Sequence, residues 1–402
     1  MTYSPTDKFK QTFRREDSMK KSYYFFIILS IIVCLFLCSF SLSFSESIPA
    51  AEENYKQGEE IYNQGKYEEA LAYFEKAVKI DPNYINAYYN IGRCKNNLNK
   101  KDEAIEAYKK VISLNPKYTE AYNNLGDIYR TLGRYEDAIQ MLNKAIELKP
   151  DFAYPYYNLG LISADQGDPS KAIIYYKKAI KYKPDHKWSY YSLGNALADK
   201  SIELYEEAVE AYLGAINIDP KYGDAYNALG YPYRKLGQYD KAIETIGKAI
   251  QLYPKFYYYY YCLGLAYADK KLYPEAINNY KKAIQNNPEY KYSHFYLGYS
   301  LDMSKLYEEA IAAYKEAIRI DKNFTSAYFN LGLDYKRLER YDEAITALEE
   351  AIKLDPKYTN AYYNLSLSYY NLGNKEKVME EYEMVKQLNA NLAEELLPLI
   401  SK

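Results

Sequence analysis

The residue types that carry most enzyme chemistry are scarce in this chain and far apart. It has two histidines, His186 and His294, and four cysteines, of which Cys94 and Cys262 lie outside an apolar N-terminal segment. Nucleophilic and metal-dependent catalysis need a nucleophile, a base or several ligands at short, fixed spacings. The sequence has no Walker loop, no His-Glu-x-x-His, no Gly-x-Ser-x-Gly and no Cys-x-x-Cys. We therefore expect no catalytic residue, no metal site and no cofactor.

Paired carboxylates are another source of acid–base chemistry, but here they recur at one position of a repeating pattern. These pairs are Glu68-Glu69, Glu206-Glu207 and Glu308-Glu309. Each stands at the start of a predicted helix, where carboxylates are stabilised by the helix dipole. His186 lies in a predicted turn, and His294 takes a place that tyrosine holds in similar segments. All of these residues are better explained by structure than by catalysis.

The charges of the chain are nearly balanced, with 52 Lys and Arg against 54 Asp and Glu. Nucleic-acid binding needs a concentrated basic face, so we expect no nucleic-acid partner even though tyrosines could stack on bases. Tyrosine is the unusual component, at 54 residues against a single tryptophan. So many aromatic side chains exclude a solvated, disordered chain.

Residues 23–40, YYFFIILSIIVCLFLCSF, contain no charge and come after Lys20 and Lys21. A positive flank before an apolar run predicts a cytoplasmic N-terminus and export of the chain beyond the run. Eighteen residues are just enough to span a bilayer as an anchor.

The same segment also has the features of a cleaved signal peptide. Met19 begins MKKSYYFF, and the small residues Ser43 and Ser45 precede a cut site at Glu46. We expect a basic leader at 1–22, whose true start could be Met19, and a signal peptide or anchor at 23–45. The rest would lie on the extracytoplasmic side, in the cell envelope if the source is bacterial. The membrane would be a partner through residues 23–40 if they are not cleaved.

The remaining sequence repeats itself every 34 residues, apart from one step of 36. A Leu-Gly pair recurs at Leu125-Gly126, Leu159-Gly160, Leu193-Gly194, Leu229-Gly230, Leu263-Gly264, Leu297-Gly298 and Leu331-Gly332. Three residues before each Leu stands a tyrosine, except at His294. Two alanines and usually an aromatic come later in the unit, and a proline often closes it. Each unit therefore predicts a helix, a turn, a second helix and a stop.

This pattern resembles the tetratricopeptide repeat, with tyrosine in place of the usual tryptophan. The resemblance covers residues 51–390 as ten repeats and implies an all-α, right-handed α-solenoid, preceded by the apolar N-terminal helix. The small Gly and Ala residues are expected where helices cross closely. Residues 391–402 are predicted to cap the last repeat. The fifth repeat carries two extra residues and the sixth has Pro232 inside its first helix, which together predict a bend at 199–234.

The resemblance implies that the first helix of each repeat lines a concave groove. Candidate protein-binding residues there are aromatic pairs one turn apart, two polar residues of the sixth repeat, and asparagines before the repeated leucine. They are Tyr154, Tyr157, Trp188, Tyr191, Tyr258, Tyr261, Tyr292, Phe295, Asn227, Arg234, Asn90, Asn124 and Asn158. Family members that bind extended peptides use such asparagines to hold the ligand backbone. The alternative is that the tyrosines only pack against neighbouring helices.

The repeat pattern assigns different positions to five consecutive tyrosines, Tyr257 to Tyr261. The register predicts that Tyr260 fills the core, while Tyr258 and Tyr261 face the groove. Tyr257 and Tyr259 would contact the preceding repeat or stay partly exposed.

Together these features favour an exported or membrane-tethered scaffold that binds an extended peptide or a partner's helix in an aromatic groove. The alternative is a non-catalytic targeting or assembly subunit of an envelope enzyme or secretion complex.

Overall fold

The structure is a computed structural model that describes Ser30 and residues 49–401. Within these residues the regular elements are α-helices and one short 3-10 helix, with no strand, which confirms the all-α prediction. The predicted leader and, apart from Ser30, the predicted signal or anchor segment lie outside the described residues. None of the described helices is long and apolar enough to cross a membrane.

The chain divides into two compact units, with the boundary between Ile162 and Ser163 inside helix α7. The helices that begin in the first unit are α1 (49–63), α2 (Tyr67–Ile80), α3 (Ile85–Asn97), α4 (Lys101–Leu114), α5 (Thr119–Thr131), α6 (Tyr135–Leu148) and α7 (Ala153–Asp165). In this unit α3 packs against α4 and α5 against α6, and α2 and α4 each also pack against the next helix along the chain.

The second unit continues the same alternation of helices. It comprises α8 (Pro169–Tyr182), α9 (Lys187–Lys200), α10 (Tyr205–Ile218), α11 (Gly223–Lys235), α12 (Tyr239–Leu252), α13 (Tyr257–Asp269), α14 (Tyr273–Asn286), α15 (Lys291–Met303), α16 (Tyr307–Ile320), α17 (Thr325–Arg337), α18 (Tyr341–Leu354), α19 (Thr359–Asn371), α20 (Lys375–Leu388) and α21 (Ala390–Ile400). Each helix packs against the next one along the chain. The two extra residues of the fifth repeat are absorbed by the 3-10 turn Ile202–Leu204 between α9 and α10.

Glycine in the first helix of a repeat allows the second helix to approach closely. A Cβ added at Gly264 would lie 2.5 Å from Cε1 of Tyr280, and one added at Gly126 would lie 2.7 Å from Cγ of Leu142. Real Cβ atoms do not come so close to other carbons, so the repeated Leu-Gly pair is a packing requirement. The predicted close crossings are confirmed at these positions.

In the fourth and seventh repeats, the tyrosine before the Leu-Gly pair stabilises the turn that enters the repeat. Tyr156 and Tyr260 donate hydrogen bonds to the carbonyls of Pro150 and Pro254, at 2.9 and 3.0 Å. His294 makes the same bond from Nε2 to the Pro288 carbonyl at 2.8 Å. The imidazole N–H therefore replaces the phenol as donor, which explains why histidine is accepted there.

The C-terminal helix and the sixth repeat also depart from the regular pattern. Helix α21 packs on α20 and buries Ala393 and Leu396 in a cluster with Tyr382, and its role as a cap stays a prediction. Helix α11 runs unbroken through Pro232. The bend predicted at 199–234 stays a prediction.

Candidate functional site

A cluster of three aromatic rings recurs where one repeat meets the next. Its central ring belongs to the residue after the repeated tyrosine, and its neighbours come from the second helix and from the turn into the next repeat. In the second unit Tyr261 lies 6.2 Å from Tyr280 and 5.2 Å from Tyr290, between ring centroids. The same three-ring arrangement occurs at Tyr55–Phe74–Tyr84, Tyr89–Tyr108–Tyr118, Tyr191–Tyr212–Tyr222 and Phe295–Tyr314–Phe324. The central ring is thus a structural link between repeats.

Among the five consecutive tyrosines, the burial of Tyr260 and Tyr261 differs from the sequence prediction. Tyr261 is only 8% exposed and Tyr259 3%, whereas Tyr260, predicted to fill the core, is partly exposed. Tyr260 lies at the edge because its hydroxyl must reach the Pro254 carbonyl. Tyr259 contacts the preceding repeat as predicted, since its hydroxyl donates to Oδ1 of Asp224 at 2.6 Å.

The aromatic residues three positions before the central rings are the exposed ones. In the second unit Trp188 is 50% exposed, Tyr258 38% and Tyr292 39%. Tyr154 holds the equivalent place in the first unit and is also exposed, whereas Tyr157 is half-buried. The predicted aromatic pairs therefore separate into one exposed ring and one packed ring.

The asparagines of the first unit use their amides to join repeats. Asn90 Nδ2 donates to the Tyr55 hydroxyl at 3.2 Å, and Asn124 Nδ2 donates to the Tyr89 hydroxyl at 3.0 Å. Asn158 Nδ2 donates to Asn123 Oδ1 at 3.1 Å. Each amide already has a partner, so a peptide backbone would have to compete with a bond between repeats. Asn124 also lines a small cavity of about 160 Å³.

In the second unit the series of asparagines before the repeated leucine is interrupted, and a larger cavity lies at the interruption. Ser192, Ala228 and Cys262 stand where asparagine occurs in other repeats. Ala228 and Cys262 line a cavity of about 670 Å³, within the range of ligand sites. Its aromatic wall is formed by Tyr191, Tyr212, Tyr231, Tyr258, Tyr261 and Tyr296.

The polar groups of the cavity come mainly from α11 and α13. Arg234 Nε donates to Asp269 Oδ2 at 2.8 Å, which joins the two helices. Asn227 lines the same cavity, and no protein group of the described residues donates to its buried Oδ1. A buried acceptor without a donor is costly, which makes this atom a candidate contact for a ligand.

The cavity holds a thiol, Cys262, that is not activated. Burial raises the pKa of Cys262 to about 11. The neighbouring Cys262 and partial burial raise the pKa of Tyr258 to about 12. Both groups are neutral near pH 7, so neither offers the anionic nucleophile that covalent catalysis needs. Among the described residues no group of three His, Cys, Asp or Glu side chains is arranged to hold a metal ion.

Five of the predicted binding residues meet at this cavity, and the others do not line it. The five are Tyr191, Asn227, Arg234, Tyr258 and Tyr261. Trp188, Tyr292 and Phe295 lie elsewhere in the second unit, while the first unit holds Tyr154, Tyr157, Asn90, Asn124 and Asn158. Sequence reasoning missed Ala228, Tyr231 and Tyr296. The missing asparagine at Ala228 was the available signal for the cavity.

Comparisons with known proteins agree with the repeat pattern. A family model described as TPR repeat matches residues 126–167, 230–271, 306–339 and 332–373. Models described as Tetratricopeptide repeat match 153–186, 189–222, 211–244 and 359–392. Together these matches cover more than half of the chain. A model described as Regulator of microtubule dynamics protein 1-3 matches only residues 59–132.

An uncharacterised protein of Methanocaldococcus jannaschii is 47% identical over 45 residues, 11% of this chain and 52% of that protein. The chain thus spans about half the length of this curated relative. Among solved structures, MamA is 34% identical, with 42% of this chain and 92% of that chain covered and a TM-score of 0.39. YrrB, described as a TPR protein with an unusual peptide-binding site, is 24% identical, with 45% and 92% covered and a TM-score of 0.36. On the strength of the family matches and the repeated helix pairs, this chain belongs to the tetratricopeptide repeat family.

Proposed function

We propose that the chain is a non-catalytic scaffold that binds another protein through the cavity-bearing face of its second unit. The bound element would be an extended peptide or a partner's helix. The observation that carries this proposal is the cavity of about 670 Å³, walled by tyrosines from successive repeats. Membership of a repeat family whose members present continuous helical surfaces to partners supports it.

The aromatic side chains of this face are suited to contact another protein. Tyrosine supplies a large contact area with few rotatable bonds and keeps a hydroxyl for hydrogen bonding. Exposed rings at Trp188, Tyr258 and Tyr292 add to the area offered by the second unit.

A binding experiment on the full chain tests the proposal. A variant with Trp188→Ala, Tyr258→Ala and Tyr292→Ala should lose a partner captured by the wild type from the native organism. A control variant with Ile174→Ala and Leu213→Ala removes exposed apolar side chains from the second helices α8 and α10. If both variants capture the partner as the wild type does, binding does not use the exposed aromatic residues.

The location of the scaffold is part of the same proposal. The uncharged run at 23–40 behind Lys20 and Lys21 supports export or membrane tethering. A targeting or assembly subunit of an envelope enzyme or secretion complex is the alternative function. Fractionation would place the protein, and a fixed stoichiometry with one enzyme or secretion complex would favour the alternative over a free scaffold. Recovery of the full chain in the cytosolic fraction would contradict both.

A further inference from the structure

We propose that the cavity of the second unit binds an uncharged peptide segment of three residues, held by Asn227 and Arg234. This rests on the proposed function, because it specifies what the partner inserts into that site.

The charges of the cavity favour a neutral occupant. Its lining contains two cations, Arg234 and Lys235, and two anions, Asp199 and Asp269. The guanidinium of Arg234 is already paired with Asp269. The other two charges, Asp199 and Lys235, are exposed and opposite in sign. The lining therefore offers no net charge to compensate for the hydration that a charged ligand would lose.

The free hydrogen-bonding capacity matches a peptide backbone. Asn227 Oδ1 is buried and lacks a donor within the described residues, so it can accept an N–H. Arg234 is joined to Asp269 through Nε, and a guanidinium carries five N–H donors in all. Its remaining donors can serve a carbonyl. A peptide supplies both an N–H and a carbonyl without a net charge.

The spacing of these two residues sets the length of the segment. Asn227 and Arg234 are seven positions apart on α11, which corresponds to roughly 10 Å along the helix axis. An extended chain covers this distance with about three residues. The segment would therefore lie along α11 with one contact near each end.

The middle of the segment would meet an apolar surface. Ala228, Ile246 and Leu265 line the cavity beside Tyr191 and Tyr258. Asparagine at the position of Ala228 fills this space in other repeats, where its amide reaches a tyrosine of the preceding repeat. The small Ala228 side chain leaves room for an aliphatic or aromatic side chain of the partner.

The test measures the binding of short blocked peptides to the full chain by saturation-transfer NMR. The probes are acetyl-Ala-Leu-Ala-amide and its counterparts with Glu or Lys in the middle. The leucine peptide should bind saturably and at least about 10-fold more tightly than either charged peptide.

Two variants locate the binding. Ala228→Asn restores the residue that other repeats carry and should weaken binding of the leucine peptide by at least about 10-fold. Asn227→Ala should weaken it about 5-fold, the effect of one hydrogen bond. Asn330→Ala changes the position equivalent to Ala228 outside the cavity and should have no effect. Melting temperatures confirm that each variant is folded.

The proposal is overturned by any of three results: no saturable binding of the leucine peptide, equal binding of the charged peptides, or unchanged binding in both cavity variants. A negative peptide result leaves the wider function separately testable. If the variant lacking Trp188, Tyr258 and Tyr292 side chains still loses its partner, the scaffold function stands and only the three-residue segment is wrong.

Discussion

In several repeats the aromatic ring at one position joins that repeat to the next. At this position Tyr261 touches Tyr280 of its own repeat and Tyr290 at the entrance of the following one. Tyr258, one turn earlier, lies only 5.7 Å from Tyr261 but remains well exposed. Two neighbouring tyrosines thus have different roles, one in stability and one in surface chemistry.

Replacement of these two tyrosines should separate the two roles. Tyr261→Ala should destabilise the second unit by about 3 kcal/mol, because it removes a large buried ring and leaves a cavity. Tyr258→Ala should cost less than about 1 kcal/mol, because the ring is partly solvated. Urea unfolding of both variants measures the difference. Equal losses would show that the exposed and buried assignments are wrong.

A buried carboxyl group should make the stability of the second unit depend on pH. The Asp334 side chain is fully buried, accepts from Arg337 Nη1 at 2.7 Å, and lies near Asp302 and Tyr314. Burial and the charge of Asp302 raise the pKa of Asp334 to about 7. The pKa of an aspartate in an unfolded chain is about 3.9. Between pH values of about 4 and 7, Asp334 is therefore protonated in the folded state and ionised in the unfolded state. Stability contributed at this site should therefore fall as pH rises from about 4 to 7.

Asp334→Asn removes this titration and keeps an oxygen that can accept from Arg337. The variant should melt a few degrees above the wild type at pH 8, and the difference should shrink towards pH 4. Thermal melts across this range provide the measurement. A difference that does not change with pH would mean that Asp334 titrates normally.

At the scale of helices, the small residues determine how closely the two helices of a repeat approach. Gly264 lies under the ring of Tyr280, whereas Gly247 on α12 has no heavy atom within 4 Å of the place where a Cβ would stand. The two glycines sit in helices of the same unit and differ mainly in this contact.

Alanine substitutions at these glycines should have opposite effects. Gly264→Ala should destabilise the chain by about 1–3 kcal/mol, since the new methyl group overlaps the Tyr280 ring. Gly247→Ala should stabilise it by about 0.5–1 kcal/mol, because alanine is the better helix former where there is room. Melting temperatures of the two variants suffice, and a stabilising Gly264→Ala would refute the close-approach argument.

The periodic pattern was sufficient to predict the helices and the glycine crossings. It could not decide which tyrosine of Tyr260 and Tyr261 is more buried, because neighbouring positions on a helix differ by about 100° and the tilt of the packed helices decides between them. The repeat pattern also did not predict the cavity. It lies where Ala228 and Cys262 stand in place of the asparagine of other repeats, and this matters only once the bonds made by Asn90 and Asn124 are known.

At the scale of the whole molecule, the two units have the same architecture and differ in their inner chemistry. In the first unit asparagine amides bond to the preceding repeat at Tyr55, Tyr89 and Asn123. In the second unit the same register position is small at Ala228, and a tyrosine-walled cavity lies there. Repeats that are otherwise alike can thus form a cavity, which we propose as the binding site, where the asparagine is replaced by a small residue.

The most direct test of this account is site-specific photo-crosslinking of the full chain in its native organism. A photoreactive phenylalanine analogue at Tyr258 should form one discrete crosslink to a partner protein. The same analogue at Ile174 or Leu213, exposed sites on the second helices α8 and α10, should not. The tripeptide acetyl-Ala-Leu-Ala-amide should reduce the crosslink at Tyr258. Crosslinks at Ile174 and Leu213 without one at Tyr258 would contradict the assignment of binding to the cavity-bearing face.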